Sequence, residues 1–235
     1  MKIHIVGKDP EKINSFKKIV AEKNFECVEE NPELVICYGG DGMFLISERI
    51  FPGVPKLLIR DSDVGINCHN IDLKSALEKY LQEEYTIEKI KKLKAKYKGK
   101  FETRELVAVN DIVIRNSLPT EAVRFRYRIN DEEWSNTMIG DGVVVSTSYG
   151  STKGAYFYSI TQKSFSGGLA MAFNNTTEKL SPIYLDEKDI IEIQIMRGLG
   201  VLVADNNRDF INLENGDTIK IGLTNEVAKR VILTQ

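Results

Sequence analysis

The chain has 235 residues, 42% of them hydrophobic, and carries 34 acidic against 32 basic side chains, for a net charge of −2. No apolar stretch approaches the roughly 18 residues that a membrane-spanning helix needs, and the balanced charge gives no general reason to bind nucleic acid. We therefore expect a globular protein without membrane or nucleic-acid partners. The N-terminal sequence Met-Lys-Ile-His-Ile-Val-Gly lacks the order of a secretory signal, which favours a cytoplasmic location.

The first 85 residues alternate strand and helix signals. Short apolar runs predict buried strands, and apolar residues at helical spacing predict helices between them. The predicted strands are 3–6, 34–38 and 56–59, and the predicted helix faces are 13–20 and 73–81. This alternation is typical of a doubly wound, Rossmann-like α/β domain with a parallel sheet, which we place at residues 1–85.

From residue 86 onward the chain is almost entirely strand-like. The period-2 runs are 106–114, 123–129, 142–146, 190–195 and 200–204. Turn signals such as Asn215-Gly216-Asp217 separate them. We expect an all-β, sandwich-like domain over 86–235, whose last residues are able to return to the first domain, and an active site in the crevice between the domains.

One strand carries a local excess of positive charge. Residues 89–100 include seven lysines, and Leu93, Ala95 and Tyr97 alternate with lysines there. We interpret this pattern as a strand with a solvated outer face rather than as an RNA or phosphate patch, because lysines commonly protect exposed strands.

Three cysteines, Cys27, Cys37 and Cys68, form no C-x-x-C pair. Their odd number and the position of Cys37 inside a predicted buried strand argue against a disulfide framework. We expect them to be small core side chains rather than metal ligands.

The most informative motif is Gly39-Gly40-Asp41-Gly42, directly after the strand predicted at 34–38. Glycines let backbone N–H groups approach a phosphate closely, and the following run 43–46 predicts a helix whose first turn adds positive potential. Asp41 would then face both phosphates and a sugar hydroxyl. The alternative is a glycine-rich turn in which Asp41 is only the helix N-cap.

A second polar motif, Asn110-Asp111, interrupts the apolar run 106–114. A buried amide and carboxylate require partners. The amide offers a donor and an acceptor that suit an adenine edge, and the carboxylate can accept from ribose hydroxyls. The alternative is a turn or β-bulge capped by these side chains.

The third motif, Gly140-Asp141-Gly142, opens an apolar strand that leads into the hydroxyl-rich segment 146–152. Such a segment can surround a polar ligand, and Tyr156 downstream could stack on a base. The alternatives are a Ser/Thr-rich surface loop and a core aromatic side chain.

Together these motifs resemble the NAD kinase family, whose pattern is GGDGT, an Asn-Glu or Asn-Asp pair, and a GDG strand leading into STPTGSTAY. Val64-Gly65-Ile66, and Asp205 with Gly216-Asp217, are similar to further family segments. The resemblance implies transfer of the γ-phosphoryl group of ATP, or of polyphosphate, to the 2′-hydroxyl of the NAD adenosine ribose, giving NADP. It also implies a divalent cation such as Mg²⁺ and a homodimer or homotetramer.

The resemblance also assigns roles by position. It makes Asp41 the catalytic residue that binds and activates the ribose hydroxyl, and it puts Asp141 near the nicotinamide end or a neighbouring subunit's site. The NAD-binding set it implies is Asp41, Gly42, Asn110, Asp111, Asp141, Thr152, Ala155 and Tyr156. The phosphate-binding set is Gly39, Gly40 and Gly42. No metal ligand is identified.

Departures from the family pattern leave two other functions open. Met43 replaces the usual Thr, and Ala155-Tyr156 match the family only if Lys153-Gly154 is a two-residue insertion. The altered loop is compatible with a non-catalytic sensor of NAD or NADP. The GGDG loop also resembles that of lipid kinases, which would make the acceptor a lipid hydroxyl.

Overall fold

The computed structural model describes residues 1–61, 65, 67–152 and 155–234. Val64, Ile66, Lys153 and Gly154, on which part of the motif comparison depends, lie outside the described residues. The helices are α1 (Pro10–Glu22), α2 (Asp41–Ile50), α3 (Leu73–Leu81) and α4 (Tyr156–Thr161), with a 3₁₀ turn at Tyr149–Ser151. The strands are β1 (Lys2–Gly7), β2 (Glu26–Cys27), β3 (Leu34–Gly39), β4 (Pro55–Arg60), β5 (Tyr85–Lys98), β6 (Thr103–Ala108), β7 (Asp111–Asn116), β8 (Val123–Ile129), β9 (Met138–Gly140), β10 (Gly142–Thr147), β11 (Leu169–Asn174), β12 (Ile183–Leu185), β13 (Ile191–Arg197), β14 (Gly200–Ala204), β15 (Ile211–Leu213) and β16 (Thr218–Leu233).

The chain divides into two compact units. The first is Met1–Ile90 with Glu226–Gln235, and the second is Lys91–Asn225. The first division falls inside β5, a few residues beyond the boundary expected at 85, because β5 is one continuous strand. The second falls inside β16, whose final residues belong to the first unit.

The first unit is built on a parallel sheet. Its strand order is β2-β1-β3-β4, and the end of β16 pairs in parallel with β4, with Arg230 opposite Lys56. The strands predicted at 3–6, 34–38 and 56–59 are confirmed, each extended by one or two residues. They appear in the sequence as continuous apolar runs because a parallel sheet is covered on both faces.

Helices lie on both faces of this sheet. Successive strand residues point to opposite faces of the sheet, so every second residue of β1, β3 and β4 faces α1 and α3 and packs against them. The helix residues in this core are Phe16, Val20, Leu73 and Leu77. On the other face the Cys37 sulfur lies 2.9 Å from the Ser47 hydroxyl of α2. Leu81, expected on the core face, is instead 50% exposed, because it is the last residue of α3.

The second unit consists of two sheets around a common core. One sheet has the order β12-β11-β10-β7-β14-β15, with antiparallel neighbours. The other contains β9, β8, β13 and the start of β16, to which the β5–β6 pair is added. Apolar side chains of both sheets form one buried cluster. The predictions of β8, β10, β13 and β14 are confirmed to within two residues.

The single strand expected over 106–114 is wrong. The segment forms two strands in different sheets, with β6 paired to β5 and β7 paired to β10 and β14. The chain bends at Val109 and Asn110, where the backbone N–H groups turn toward the carboxylate of Asp205 instead of a neighbouring strand. A polar pair inside an apolar run therefore marks a crossing between sheets.

The lysine-rich strand has the expected two faces. Leu93 and Ala95 are fully buried. Lys94 and Lys96 point to the other side and lie 3.3 and 3.5 Å from Glu105 on β6. These lysines are matched by a carboxylate on the neighbouring strand, as a solvated face requires. Among the residues described, no helix is both long and apolar enough to cross a membrane.

Candidate functional site

Asp41 lies at the carboxyl end of β3, in the first turn of α2. Gly40 is the N-cap, and no side chain caps this helix, so the alternative that Asp41 serves only as the N-cap is wrong. Gly39 has a φ of +144°, and a Cβ there would lie 2.8 Å from Cγ of Met43. Only glycine therefore fits this turn without strain. The turn delivers a carboxylate to the edge of the sheet where the N-terminus of α2 begins.

The segment before α3 supplies donors to this carboxylate. Oδ1 of Asp41 accepts a hydrogen bond from the backbone N–H of Asn67 at 3.0 Å and a weaker one from the Cys68 thiol at 3.6 Å. Burial and the neighbouring charge of Asp41 raise the pKa of Cys68 to about 12, which keeps the thiol protonated as a donor. No motif in the sequence indicates either contact.

The cysteines are less uniform than expected. Cys37 is buried in β3, as predicted, but Cys27 is exposed on β2 and Cys68 is only half-buried. Their expected role as core side chains is therefore wrong for two of the three. The thiol of Cys68 is in contact with the carboxylate of Asp41 because both follow strands that end at the same edge of the sheet.

In the second unit, Asn110 is fixed by its backbone. The carboxylate of Asp205, in the turn after β14, accepts hydrogen bonds from the N–H groups of Val109 at 2.8 Å, Asn110 at 2.7 Å and Asp111 at 3.2 Å. Asp205 has a φ of +51°, and its own N–H donates to the carbonyl of Asp111 at 2.9 Å. Asp205 therefore both accepts hydrogen bonds from the backbone of this turn and donates one to it.

The hydroxyl-rich segment holds the same turn from the opposite side. Thr147 donates from Oγ1 to the carbonyl of Val109 at 2.7 Å and accepts from the N–H of Gly150 at 2.9 Å. A Cβ on Gly150 would lie 2.3 Å from the carbonyl oxygen of Asn110, so the backbones meet closely. Ser146, Thr147 and Ser151 are buried, so the alternative of a surface loop is wrong.

The side chain of Asn110 carries an unpaired acceptor. Its amide oxygen Oδ1 is one of a few buried polar atoms that have no hydrogen-bond partner within the described part of the chain. Buried polar atoms in native proteins are almost always paired, and leaving one unpaired costs about 1–3 kcal/mol. An acceptor held in this way is suited to a donor on a ligand.

Asp111 lies beside it and is 5% exposed. The pKa of Asp111 is raised to about 7, chiefly by burial and also by the nearby charge of Asp205, while a hydrogen bond from the backbone of Tyr156 opposes the shift. The structure therefore brings Asn110, Asp111 and Tyr156 together, as the resemblance implied. The alternative of a turn capped by Asn110 or Asp111 does not hold, because Asp205 provides the cap.

Thr152 and Ala155 lie on the path from this turn to α4. Thr152 donates from Oγ1 to the carbonyl of Tyr149 at 3.0 Å, and the N–H of Ala155 donates to the carbonyl of Thr152 at 3.2 Å. Ala155 is the N-cap of α4. The residues between them, Lys153 and Gly154, lie outside the described part, so the expected insertion stays a prediction.

Asp141 lies at the other end of β10 from Thr147. Its carboxylate accepts from the amides of Asn116 at 3.5 Å and Asn175 at 3.1 Å. Six residue steps along β10 separate it from Thr147 by about 20 Å at the usual rise per strand residue. Asp141 is therefore not part of the cluster around Asn110.

Across the residues that the structure describes, no cluster of three or more His, Cys, Asp or Glu side chains could hold a metal ion. A cation bound to a nucleotide does not require such a cluster, since Mg²⁺ is commonly held by substrate phosphates, water and one or two carboxylates. Asp41, a carboxylate in the first turn of α2, fits that case.

Comparisons with known proteins agree with these motifs. No protein-family model matches the chain. Curated relatives are named NAD kinases, among them one from Clostridium kluyveri, which is 27% identical over 90% of this chain and 79% of its own length. These relatives confirm the resemblance drawn from the motifs.

Solved structures with the same fold are also NAD or NADH kinases. A yeast NADH kinase in complex with NADH superposes with a TM-score of 0.86 at 17% identity and covers 100% of this chain and 84% of its own. An NAD kinase from Archaeoglobus fulgidus in complex with ATP superposes with a TM-score of 0.80 at 18% identity, over 98% and 93% of the two chains. At these identities the likeness establishes the fold.

Proposed function

We propose that this chain, a relative of the NAD kinases, transfers the γ-phosphoryl group of ATP to the 2′-hydroxyl of the adenosine ribose of NAD and so makes NADP. The relatives named above favour this function over a lipid kinase or a sensor. A lipid kinase would share only the GGDG loop, whereas the second unit supplies the Asn-Asp pair and the hydroxyl-rich segment as well.

The observation that carries the proposal is the buried, unpartnered side-chain oxygen of Asn110. Adenine presents an amino donor beside a ring nitrogen acceptor, and an asparagine amide matches that edge with two hydrogen bonds. Asp205 and Thr147 fix the backbone on either side, so the amide is held in place before a ligand arrives. The adjacent carboxylate of Asp111 would accept from a ribose hydroxyl.

Asp41 would bind the acceptor hydroxyl. Phosphoryl transfer requires mainly alignment and charge neutralisation, and an aspartate that receives the hydroxyl proton is sufficient for the acceptor. The N–H groups at the start of α2 and the glycines before it would bind phosphate oxygens, since helix N-termini favour anions. The donor ATP would carry a divalent cation such as Mg²⁺, which neutralises charge on the phosphates.

The experiment incubates the purified protein with ATP, MgCl₂ and NAD and measures NADP with an NADP-specific dehydrogenase. NADP formation that depends on all three supports the proposal. No NADP, together with micromolar binding of NAD by calorimetry, would establish the sensor instead. Phosphorylation of diacylglycerol in mixed micelles, with none of NAD, would establish the lipid kinase.

Several parts of the proposal stay predictions. These are the use of polyphosphate as donor, the divalent cation, the homo-oligomeric state, the cytoplasmic location and the ligand contacts of all the site residues. Those residues are Gly39, Gly40, Asp41, Gly42, Asn110, Asp111, Asp141, Thr152, Ala155 and Tyr156. The contact between Asp111 and the backbone of Tyr156 supports the alignment in which Ala155-Tyr156 take the place of the family's Ala-Tyr.

A further inference from the structure

A series of contacts connects the C-terminal strand to the carboxylate of Asp41 within the first unit. Arg230 on β16 donates from Nη1 to the side-chain oxygen of Asn67 at 2.6 Å. The backbone N–H of Asn67 in turn donates to Oδ1 of Asp41 at 3.0 Å. The guanidinium therefore lies two hydrogen bonds away from the proposed catalytic group.

Arg230 is itself held firmly. Its Nε lies 2.8 Å from the carboxylate of Glu88, and its side chain is 13% exposed. Its backbone pairs with Lys56 of β4 in the parallel sheet. Because the side chain is largely buried and its guanidinium lies against both Glu88 and Asn67, it can fix the position of Asn67 at little further cost in conformational entropy.

The segment that carries Asn67 is fixed on both sides. The N–H of His69 donates to the carbonyl of Leu58 at 2.9 Å, and the N–H of Arg60 donates to the carbonyl of His69 at 2.9 Å. The His69 ring lies 3.0 Å from the carbonyl of Val231, next to Arg230. The segment is therefore attached to β4 and to β16, and Asn67 is the point where it contacts Asp41.

We infer that Arg230 is a positioning residue for Asp41, acting through Asn67. It holds the N–H that anchors Oδ1, and this anchor sets the direction in which the carboxylate meets the acceptor hydroxyl. The consequence for turnover rests on the proposed function, but the contacts do not. Misplacement of a reacting group by about 1 Å can cost on the order of 100-fold in rate.

The kinetic test compares Arg230→Met with Lys79→Ala. Lys79 also bonds the C-terminal end of the chain, through the carbonyl of Thr234 at 2.5 Å, but within the described residues it makes no hydrogen bond to Asn67 or Asp41, so it serves as the matched control. We expect Arg230→Met to lower kcat at least tenfold with the KM for NAD within twofold, and Lys79→Ala to leave both unchanged. A rise in KM with unchanged kcat would overturn the inference.

A double mutant separates positioning from a general loss of structure. In the Asp41→Asn background, assayed by enzymatic cycling of NADP, Arg230→Met should have no further effect, because the carboxylate it positions is gone. If Arg230→Met lowered kcat by the same factor in both backgrounds, the inference would be overturned. If Arg230→Met does not fold, Asn67→Ala gives the same test, since it removes the shorter of the two hydrogen bonds from Arg230, at 2.6 against 3.5 Å, and keeps the N–H that bonds Asp41.

A second readout does not depend on kinase activity. Amide hydrogen exchange at Asn67, followed by NMR, should accelerate at least tenfold in Arg230→Met and stay unchanged in Lys79→Ala. Unchanged exchange in Arg230→Met would overturn the inference even in an active enzyme. Accelerated exchange in a protein without kinase activity would support the inference and overturn the proposed function instead.

Discussion

The carboxylate of Asp205 accepts a hydrogen bond from the backbone N–H of Asn110 at 2.7 Å, and this contact crosses 95 positions of the chain. The same carboxylate holds the N–H groups on either side. Three donors that the bend between β6 and β7 removes from strand pairing are thus satisfied by one side chain. The proposed adenine-binding amide therefore depends on an aspartate that need not touch the nucleotide.

Asp205→Ala should destabilise the second unit and weaken NAD binding. The change leaves three partly buried N–H groups without their acceptor, and we expect the free energy of unfolding to fall by about 2 kcal/mol. The KM for NAD should rise at least tenfold as the turn at Asn110 loosens. Urea unfolding followed by the fluorescence of Trp134, the single tryptophan, reports the second unit directly.

Asp209→Ala is the matched control for that change. Asp209 follows closely in the chain, and its side chain, 71% of which is accessible, forms an exposed ion pair with Arg104 at 2.9 Å. Such pairs contribute about 0–1 kcal/mol, so stability and KM should hardly change. Equal effects of the two substitutions would show that the Asp205 hydrogen bonds do not organise the site.

The buried carboxyl of Asp111 should make stability depend on pH. Its pKa is raised to about 7, above the value near 3.8 of the unfolded chain, so the folded protein binds its proton more tightly. Between these two values the folded state holds more protons than the unfolded state, and the contribution of Asp111 to stability falls as pH rises from about 4 to 7. Above pH 7 it levels off.

Asp111→Asn isolates this contribution, because the amide does not titrate. The difference in Tm between Asp111→Asn and the parent protein should shift in favour of the variant as pH rises from 4 to 8, measured by thermal melts in buffers of matched ionic strength. A Tm difference that is constant over this range would mean that Asp111 titrates near its ordinary value when folded.

The sequence predicts the sheet of the first unit well, because its parallel strands are covered on both faces and appear as short apolar runs. The second unit is harder to predict at one point. An apolar run broken by Asn110 and Asp111 indicates one interrupted strand, whereas the chain crosses from one sheet to another there. The cause, the carboxylate of Asp205, is too distant in sequence to be detected by periodicity.

The candidate site shows the same contrast. The motifs predict Asp41 after a strand, and they include Asn110, Asp111 and Tyr156, of which the structure places the backbone of Tyr156, at the start of α4, against Asp111. They give no indication of Asn67 or Arg230, because a backbone donor and a salt-bridged arginine leave no pattern in a single sequence. Residues proposed to contact a ligand are therefore predicted from motifs, while the residues that hold them in place are visible only in the structure.

Asp41→Asn tests the proposed catalytic role. Asparagine keeps the shape and the acceptor for the N–H of Asn67 but cannot receive the hydroxyl proton. We expect kcat to fall at least 100-fold, with the dissociation constant for NAD within about threefold of the parent value and the Tm unchanged. Steady-state kinetics and calorimetry provide these numbers. Turnover within a few-fold of the parent would remove Asp41 from the mechanism.

A buried ion pair between Lys56 and Glu48 should contribute to the stability of the first unit. Lys56 on β4 is fully buried, donates to the carboxylate of Glu48 on α2 and donates to the carbonyl of Phe51 at 2.6 Å. Glu48 also accepts from the N–H of Gly53 at 2.9 Å. Removing one member of such a pair leaves a buried charge behind, so Lys56→Met should lower the free energy of unfolding by about 3–5 kcal/mol.

The paired variant Lys56→Met/Glu48→Gln provides the control, since the glutamine can still accept from Gly53 but carries no charge. It should recover at least half of the stability that Lys56→Met loses, as measured by urea unfolding followed by circular dichroism. If the double variant is as unstable as the single one, the loss in Lys56→Met comes from packing around the lysine stem and not from the isolated charge of Glu48.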